Sequence, residues 1–331
     1  MLRLFQSSNP VSLILLIIYA ALVNLKFFLG GIPTTETSYY FIGDLLFNQW
    51  IPLNKLPQTV VPFFNLACIV TQAVLISMLM QGSKVNTKPS LLPALVFILL
   101  CSFFPDMLLN TPAVLSGFFL IWILFKIFSA YNKPKADTIY FDTGLLNGFV
   151  SLLFFPALVF SLYSLLAIVR MRSITFREFV LFLSGFMVIY FLAATAFFWF
   201  DLLPEFWEKQ FHLVPDLTKL SNFFSTIVIV KLILIGIALI ISLLFYSNKF
   251  TSNLIQVRKY LGSFVSFFLF GILAFLFNSN ADVGGLYFLM MGTSFFISYY
   301  FFHSKNRMTP EIIHITLLGA TILFQYINFT A

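Results

Sequence analysis

The sequence is a succession of long apolar runs separated by short loops, and this alternation restricts the fold more than any other feature. Hydrophobic residues fill 60% of the 331 positions and charged residues only 9%, whereas a soluble domain carries about 25% charged residues. A helix crosses a bilayer with roughly 20 apolar residues. The chain can cover its outer faces only with lipid, so we predict an all-α, polytopic transmembrane helical bundle forming a single integral membrane domain over 1–331.

Proline turns divide two of the apolar regions into short helical hairpins. The tripeptide Phe-Phe-Pro occurs at 103–105 and again at 154–156, each time between two apolar runs. Proline cannot continue a helix, because it lacks an N–H and its ring clashes with the preceding turn. Each tripeptide therefore predicts an entering and a returning helix. The pattern predicts eleven spans, at 11–29, 60–81, 91–104, 112–130, 143–155, 157–170, 179–200, 223–246, 261–278, 285–302 and 311–327.

The distribution of basic residues agrees with this count and orients the bundle. With the N-terminus inside and the C-terminus outside, 14 of the 19 Lys and Arg residues fall on the inner side, in loops or at the inner ends of spans, and three fall in the outer loops. Such an excess of positive charge marks the cytoplasmic side. Merging 143–155 and 157–170 into one span would reverse every later loop. We therefore predict a multi-pass membrane protein in contact with membrane lipid, with its basic loops in the cytoplasm.

The net charge of +7 does not indicate nucleic-acid binding, because the basic residues lie in short loops and form no continuous patch. Two outer loops, 30–58 and 201–222, are longer than turns and mix aromatic with charged residues. Amphipathic segments of this composition lie along a membrane surface. We expect both loops to be partly interfacial.

Two carboxylates near the predicted outer face are candidate catalytic residues. Asp44 lies among apolar residues in the first outer loop, and Asp106 follows the first Phe-Phe-Pro turn. A carboxylate at a low-dielectric boundary can have a raised pKa and act as a general base, or it can bind a metal. The alternative is an ordinary loop acid, and Asp106 is also placed to cap the helix that follows it.

Lys231 is the one charge that the sequence places deep in a predicted span. It lies roughly 12 Å below the outer end of its helix at 1.5 Å per residue. A charge at this depth is costly and marks a site or a partner. Two interpretations stay open for Lys231: a structural ion pair with another helix, or binding of an anion such as a lipid phosphate.

The sequence contains no further motif that indicates a cofactor or a catalytic site. Neither a GxGxxG pattern nor a P-loop is present, which removes the usual signatures of nucleotide binding. The three histidines are scattered, so they cannot supply the ligands of a multi-histidine iron site. Glu311 and His314 are spaced i, i+3, a spacing used in di-metal bundles, but such sites need the motif twice. We interpret this pair as charges at a helix end, and the sequence identifies no cofactor.

The central block resembles the membrane core of the C-type (GT-C) glycosyltransferases. The resemblance rests on Phe103 to Pro112, on Leu115 to Lys135 and on Gly144-Leu145-Leu146-Asn147-Gly148 through Pro156. It implies a GT-C-like core and a polyprenyl-phosphate-linked sugar as donor. It also implies an acid in the first outer loop that acts as base or metal ligand, and another acid in the next outer turn. Asp44 and Asp106 match these positions, and only this interpretation calls for a divalent metal.

The chain as a whole resembles a Bacteroidota family of integral membrane proteins. The resemblance is carried by LRLFQSSNP at 2–10, FDTGLLNGF at 141–149 and ITFREF at 174–179. It implies a multi-pass protein of the bacterial inner (cytoplasmic) membrane and no particular mechanism.

Three functions are consistent with these observations. The first is a GT-C-like transferase that moves a sugar from a lipid-linked donor at the outer face, with Asp44 or Asp106 activating the acceptor and Lys231 contacting phosphate. The alternative is a non-catalytic subunit or scaffold of an envelope assembly, bound to a membrane protein partner, since paired catalytic acids are missing. A lipid or small-molecule transporter is less favoured, because transporters place several charges and broken helices at mid-membrane.

Overall fold

The structure is a computed structural model that describes residues 2–29, 40–46, 57, 59–133, 136–211, 223–278, 283–306 and 308–328. These ranges contain helices and turns and no strand, which confirms the all-α prediction for the described part of the chain. Much of the predicted outer loop 30–58, and residues 212–222 of the second outer loop, lie outside these ranges. The helices are α1 Pro10–Val23, α2 Leu25–Leu29, α3 Phe41–Asp44, α4 Val60–Gly82, α5 Leu92–Ser102, α6 Thr111–Ser129, α7 Asp137–Leu153, α8 Val159–Met171, α9 Phe176–Trp199, α10 Leu203–Gln210, α11 Thr226–Phe250, α12 Ile255–Leu276, α13 Val283–His303 and α14 Met308–Asn328.

Seven of these helices are long and apolar enough to cross a membrane. They are α4, α6, α9, α11, α12, α13 and α14, and each corresponds to a predicted span. The remaining predicted spans correspond to shorter helices. The first of them, predicted as one helix over 11–29, is divided at Asn24 into α1 and α2.

Both Phe-Phe-Pro tripeptides lie at turns between two helices. After α5 the chain makes a 3-10 turn over Pro105–Leu108 before α6, and after α7 it makes a 3-10 turn over Phe155–Leu158 before α8. The guanidinium of Arg172, just beyond α8, donates to the carbonyl oxygen of Lys133, just before α7, at 2.8 Å. The open ends of the second hairpin therefore lie together.

The short helix α5 and the long helix α13 form the centre of the bundle. Every residue of α5 is buried, and α13 is buried along nearly its whole length. A helix of 11 residues is shorter than the roughly 20 needed to face lipid across a bilayer. Its enclosure by protein explains how a helix of this length can lie in the bundle.

Glycines hold α7 against α9 at a very short interhelical distance. A β-carbon on Gly144 of α7 would overlap the carbonyl oxygen of Phe182, and one on Gly185 of α9 would overlap that of Phe141. Gly148, one turn beyond Gly144, also contacts α9. Small residues spaced four apart allow backbones to approach in this way, and van der Waals packing then holds the helices together. The GLLNG segment is therefore a helix-packing motif.

The bundle has two distinguishable ends. We call the end that carries both Phe-Phe-Pro turns the turn end, where Tyr40 packs on Phe154 and donates to Asn278 at 3.1 Å. At the same end, the amide of Gln210 in α10 accepts from Ile42 N and donates to Leu152 O. The opposite end, which we call the basic end, carries Arg172 and Lys259, whose ammonium donates to Met171 O at 3.1 Å.

Candidate functional site

Lys231 lies buried at the turn end of the bundle. It is the sixth residue of α11, about 8 Å from the start of the helix at 1.5 Å per residue, so it is shallower than the 12 Å that the sequence predicted. The side chain is only 3% exposed. Its Nζ lies 5.3 Å from the ring centre of Phe104 and 5.6 Å from that of Phe324, within the range of cation–π attraction.

No ion pair of Lys231 occurs among the residues that the structure describes. In that part of the chain, no carboxylate therefore forms the structural salt bridge that was considered for Lys231. Two aromatic rings contact the ammonium, and the carboxylate of Asp106 acts on it from beyond ion-pair distance. Binding of an anion by Lys231 stays a prediction.

Asp106 lies in the 3-10 turn that follows Phe104, within the electrostatic reach of Lys231. Part of the side chain is exposed, while protein surrounds the carboxyl group on most other sides. Loss of hydration raises the pKa of Asp106 above its ordinary value, and the positive charge of Lys231 opposes part of this increase. The net effect is a raised pKa for Asp106, so this carboxyl group releases its proton at a higher pH than an ordinary aspartate.

The interpretation of Asp106 as a helix cap is wrong. The side-chain oxygen of Asn110 accepts from Ala113 N at 3.2 Å and caps α6, while Asp106 makes no capping bond to its own turn. Asn110 directly precedes the first residue of α6, the position at which a side chain reaches the free N–H groups of a helix. Asp106 lies one turn too early in the chain.

Amide side chains surround this turn, and the sequence analysis did not select them. Asn24, at the division between α1 and α2, donates to Ser102 Oγ at 2.9 Å, and Gln325 of α14 donates to Ser102 O at 3.4 Å. Asn65 of α4 donates to Leu108 O at 2.8 Å. The Oδ1 atoms of Asn24 and Asn65 are buried and accept no hydrogen bond from the described residues. Polar residues inside apolar runs were the one available signal.

Asp44 lies in a different part of the turn end. It is the last residue of α3 and half-buried. The helix packs on α10 and α7 through a separate hydrophobic cluster that includes Phe41, Leu152 and Phe206. The structure thus couples Lys231 to Asp106, and Asp44 belongs to the neighbouring cap formed by α3 and α10. A catalytic role for Asp44 stays a prediction.

The residues around Asp106 do not resemble a divalent-metal site. Within the described ranges, no three His, Cys, Asp or Glu side chains are grouped so that they could hold a metal ion. The charged group coupled to Asp106 is an ammonium, which repels a cation. The donor set therefore does not fit the metal that the GT-C resemblance would call for.

His314 is fully buried in α14, where its Nε2 lies 3.3 Å from the hydroxyl of Tyr19. This placement makes His314 part of the packing between α1 and α14.

Comparisons of the whole chain with protein-family models, with curated proteins and with solved structures found no match.

Proposed function

We propose that this chain crosses the bacterial inner membrane eleven times, with its N-terminus inside and its C-terminus outside. The separation of the two ends supports this topology. Segments that the charge pattern places outside, such as Tyr40, Phe154 and Asn278, contact one another at the turn end. Segments placed inside meet at the basic end, where Leu91 N donates to Phe5 O and Arg172 bonds to Lys133.

We further propose that the protein is a GT-C-like transferase that moves a sugar from a polyprenyl-phosphate-linked donor at the outer face. The observation that carries this proposal is the coupling of Asp106 to the buried Lys231 across the first Phe-Phe-Pro turn. A carboxylate and an ammonium that are close without being paired can serve two different atoms of one reaction. Their position near the ends of apolar helices suits a donor whose lipid tail stays in the membrane.

In this proposal each charge has a separate role in a single displacement. The acceptor hydroxyl oxygen bonds to the anomeric carbon of the sugar while the bond from that carbon to the phosphate oxygen breaks. The hydroxyl proton passes to Asp106, and the electron pair of the broken bond stays on the phosphate beside Lys231. A buried ammonium stabilises this developing charge more strongly than water would, and a carboxylate whose pKa is raised is a stronger base than an ordinary one.

The test is transfer of radiolabelled sugar from polyprenyl-monophosphate and polyprenyl-diphosphate donors by the full chain in proteoliposomes. We expect Asp106→Asn and Lys231→Met each to lower the rate at least about a hundredfold, the lower range for loss of one acid–base or electrostatic group. Lys209→Met is the matched control, because Lys209 is an exposed lysine of α10 paired with Glu205. Rates equal to the control in both variants would contradict the proposal.

The same preparation distinguishes the scaffold alternative. Helix α9 contacts the bundle mainly through its glycine face, and most of its residues are exposed, so a partner helix has room to pack there. A native protein that transfers no sugar from either donor, and that co-purifies with a second membrane protein, would favour the scaffold. Asp44→Asn in the same assay tests whether the first outer loop takes part in catalysis.

A further inference from the structure

A cavity of about 230 Å³ lies at the basic end, remote from Asp106 and Lys231. The N-terminal turn, the loop after α4, the end of α13 and the start of α14 all contribute to its walls. Because α13 and α14 are both membrane-spanning candidates, the cavity lies where two spans would leave the bilayer. This is the level of the lipid headgroups. The lining residues are Leu2, Arg3, Gln6, Lys88, Phe301, Phe302, Ser304, Pro310 and Glu311.

The cavity has an apolar base and a positively charged rim. Leu2 and Phe301 are buried, while the side chains of Arg3 and Lys88 are exposed and make no hydrogen bond or ion pair within the described residues. The charge of Arg3 also acts on Glu311 of the same lining. Other cations at this end are already engaged, as Arg172 is with Glu178 at 3.0 Å. With Glu311 included, the lining has one net positive charge.

The wall that carries Arg3 is held firmly in place. The carbonyl oxygen of Phe5 accepts from Leu91 N at 2.8 Å and from Ser90 Oγ at 3.2 Å, and Ser12 Oγ donates to Leu4 O at 2.9 Å. These bonds fix the backbone of the N-terminal turn against the loop that carries Lys88. Both cations are therefore presented to the cavity by an ordered backbone.

We propose that this cavity binds the phosphodiester headgroup of an anionic phospholipid. The volume is far larger than the roughly 15 Å³ that one water needs and smaller than the roughly 300 Å³ of a typical small-molecule site, so it admits a headgroup and not a whole nucleotide. Arg3 and Lys88 contact the phosphate, Gln6 and Ser304 supply further polar contacts, and the first acyl carbons lie on Leu2 and Phe301. This site is independent of the transferase proposal.

The experiment measures how added lipid shifts the thermal unfolding of the purified full chain in detergent. The probes are phosphatidylglycerol, phosphatidylcholine and inorganic phosphate. We expect phosphatidylglycerol to stabilise the native chain and the other two to have little effect. The choline group would add a further positive charge beside Arg3 and Lys88. Inorganic phosphate has no acyl chain that could pack on the apolar base, so it should bind more weakly. Equal effects of phosphatidylglycerol and phosphatidylcholine would overturn the proposal, as would full competition by inorganic phosphate.

Substitutions distinguish a site from general attraction to a basic surface. The double substitution Arg3→Gln and Lys88→Gln should lower the affinity for phosphatidylglycerol about thirtyfold, since each cation near anionic lipid contributes roughly a factor of five to binding. The stabilisation by this lipid should fall accordingly. Gln6→Trp, which fills the cavity and keeps both cations, should weaken it as well. Lys305→Gln, a neighbouring exposed lysine outside the lining, is the control. Unchanged binding in Gln6→Trp would overturn the assignment to the cavity, and its unfolding temperature without lipid reports whether it folds.

Discussion

Lys231 acts electrostatically on Asp106 although the two residues lie on distant segments and form no ion pair within the described structure. Phe104 connects them, because its ring faces the ammonium and its backbone leads directly into the turn that holds Asp106. The proline turn thus brings an aromatic contact and a carboxylate to the same buried lysine. This arrangement yields predictions that distinguish a functional lysine from a structural one.

Lys231→Met should leave the free energy of unfolding unchanged or raise it by about 1 kcal/mol. Replacing a buried charge by an apolar residue of similar size is often neutral or stabilising, whereas breaking a close buried pair is strongly destabilising. Thermal unfolding in detergent measures the difference. A large loss of stability would indicate that Lys231 has a structural role, and Lys231→Arg then shows whether charge alone restores it.

The same substitution should raise the pKa of Asp106 further. Loss of hydration raises this pKa and the charge of Lys231 lowers it, so removing the charge leaves the raising effect unopposed. The pH at which half of the carboxyl groups are protonated should therefore move upward in Lys231→Met. Infrared spectroscopy of the carboxyl band, with Asp106→Asn as the blank, follows this titration. A midpoint that stays constant or falls would contradict the coupling.

Gly144→Ala should destabilise the contact between α7 and α9. The added β-carbon meets the backbone carbonyl of Phe182, which cannot move as a flexible side chain can. Overpacking of this kind costs typically 1–3 kcal/mol. The matched control is Gly319→Ala in α14, where no atom lies within 4 Å of the added carbon and the helix should gain roughly 0.5–1 kcal/mol. Equal unfolding temperatures for the two variants would refute the packing role of GLLNG.

Gln210→Ala should loosen the cap that carries Asp44. The amide side chain joins Ile42 N to Leu152 O, so its removal leaves two buried backbone groups without that partner. Each such group costs roughly 1–3 kcal/mol. Hydrogen exchange at the Ile42 amide should become faster, while the amides of α5 keep their protection. Gln256→Ala, which removes a side-chain bond to Tyr260 at the opposite end, should leave Ile42 unaffected.

The positions of the two Phe-Phe-Pro turns could be predicted from the sequence, whereas the cap of the helix after the first turn could not. Phe-Phe-Pro predicts a turn because proline blocks helix continuation through its own ring and its missing N–H, and the structure has turns at both sites. The cap of α6 was predicted incorrectly. Asp106 and Asn110 are both capping residue types, and the choice between them depends on where the 3-10 turn ends.

By itself, the sequence determined the all-helical fold, the seven long apolar helices and the two turns. Each of these follows from local properties: the length of an apolar run, or the geometry of proline. Only the tertiary structure decided that α5 lies enclosed at the centre and that Gly144 and Gly185 each pack against the backbone of the facing helix. It also decided that Lys231 lies between Phe104 and Phe324 and that a charged cavity forms at the basic end. These contacts join distant segments, and their formation depends on how whole helices pack, which no local pattern encodes.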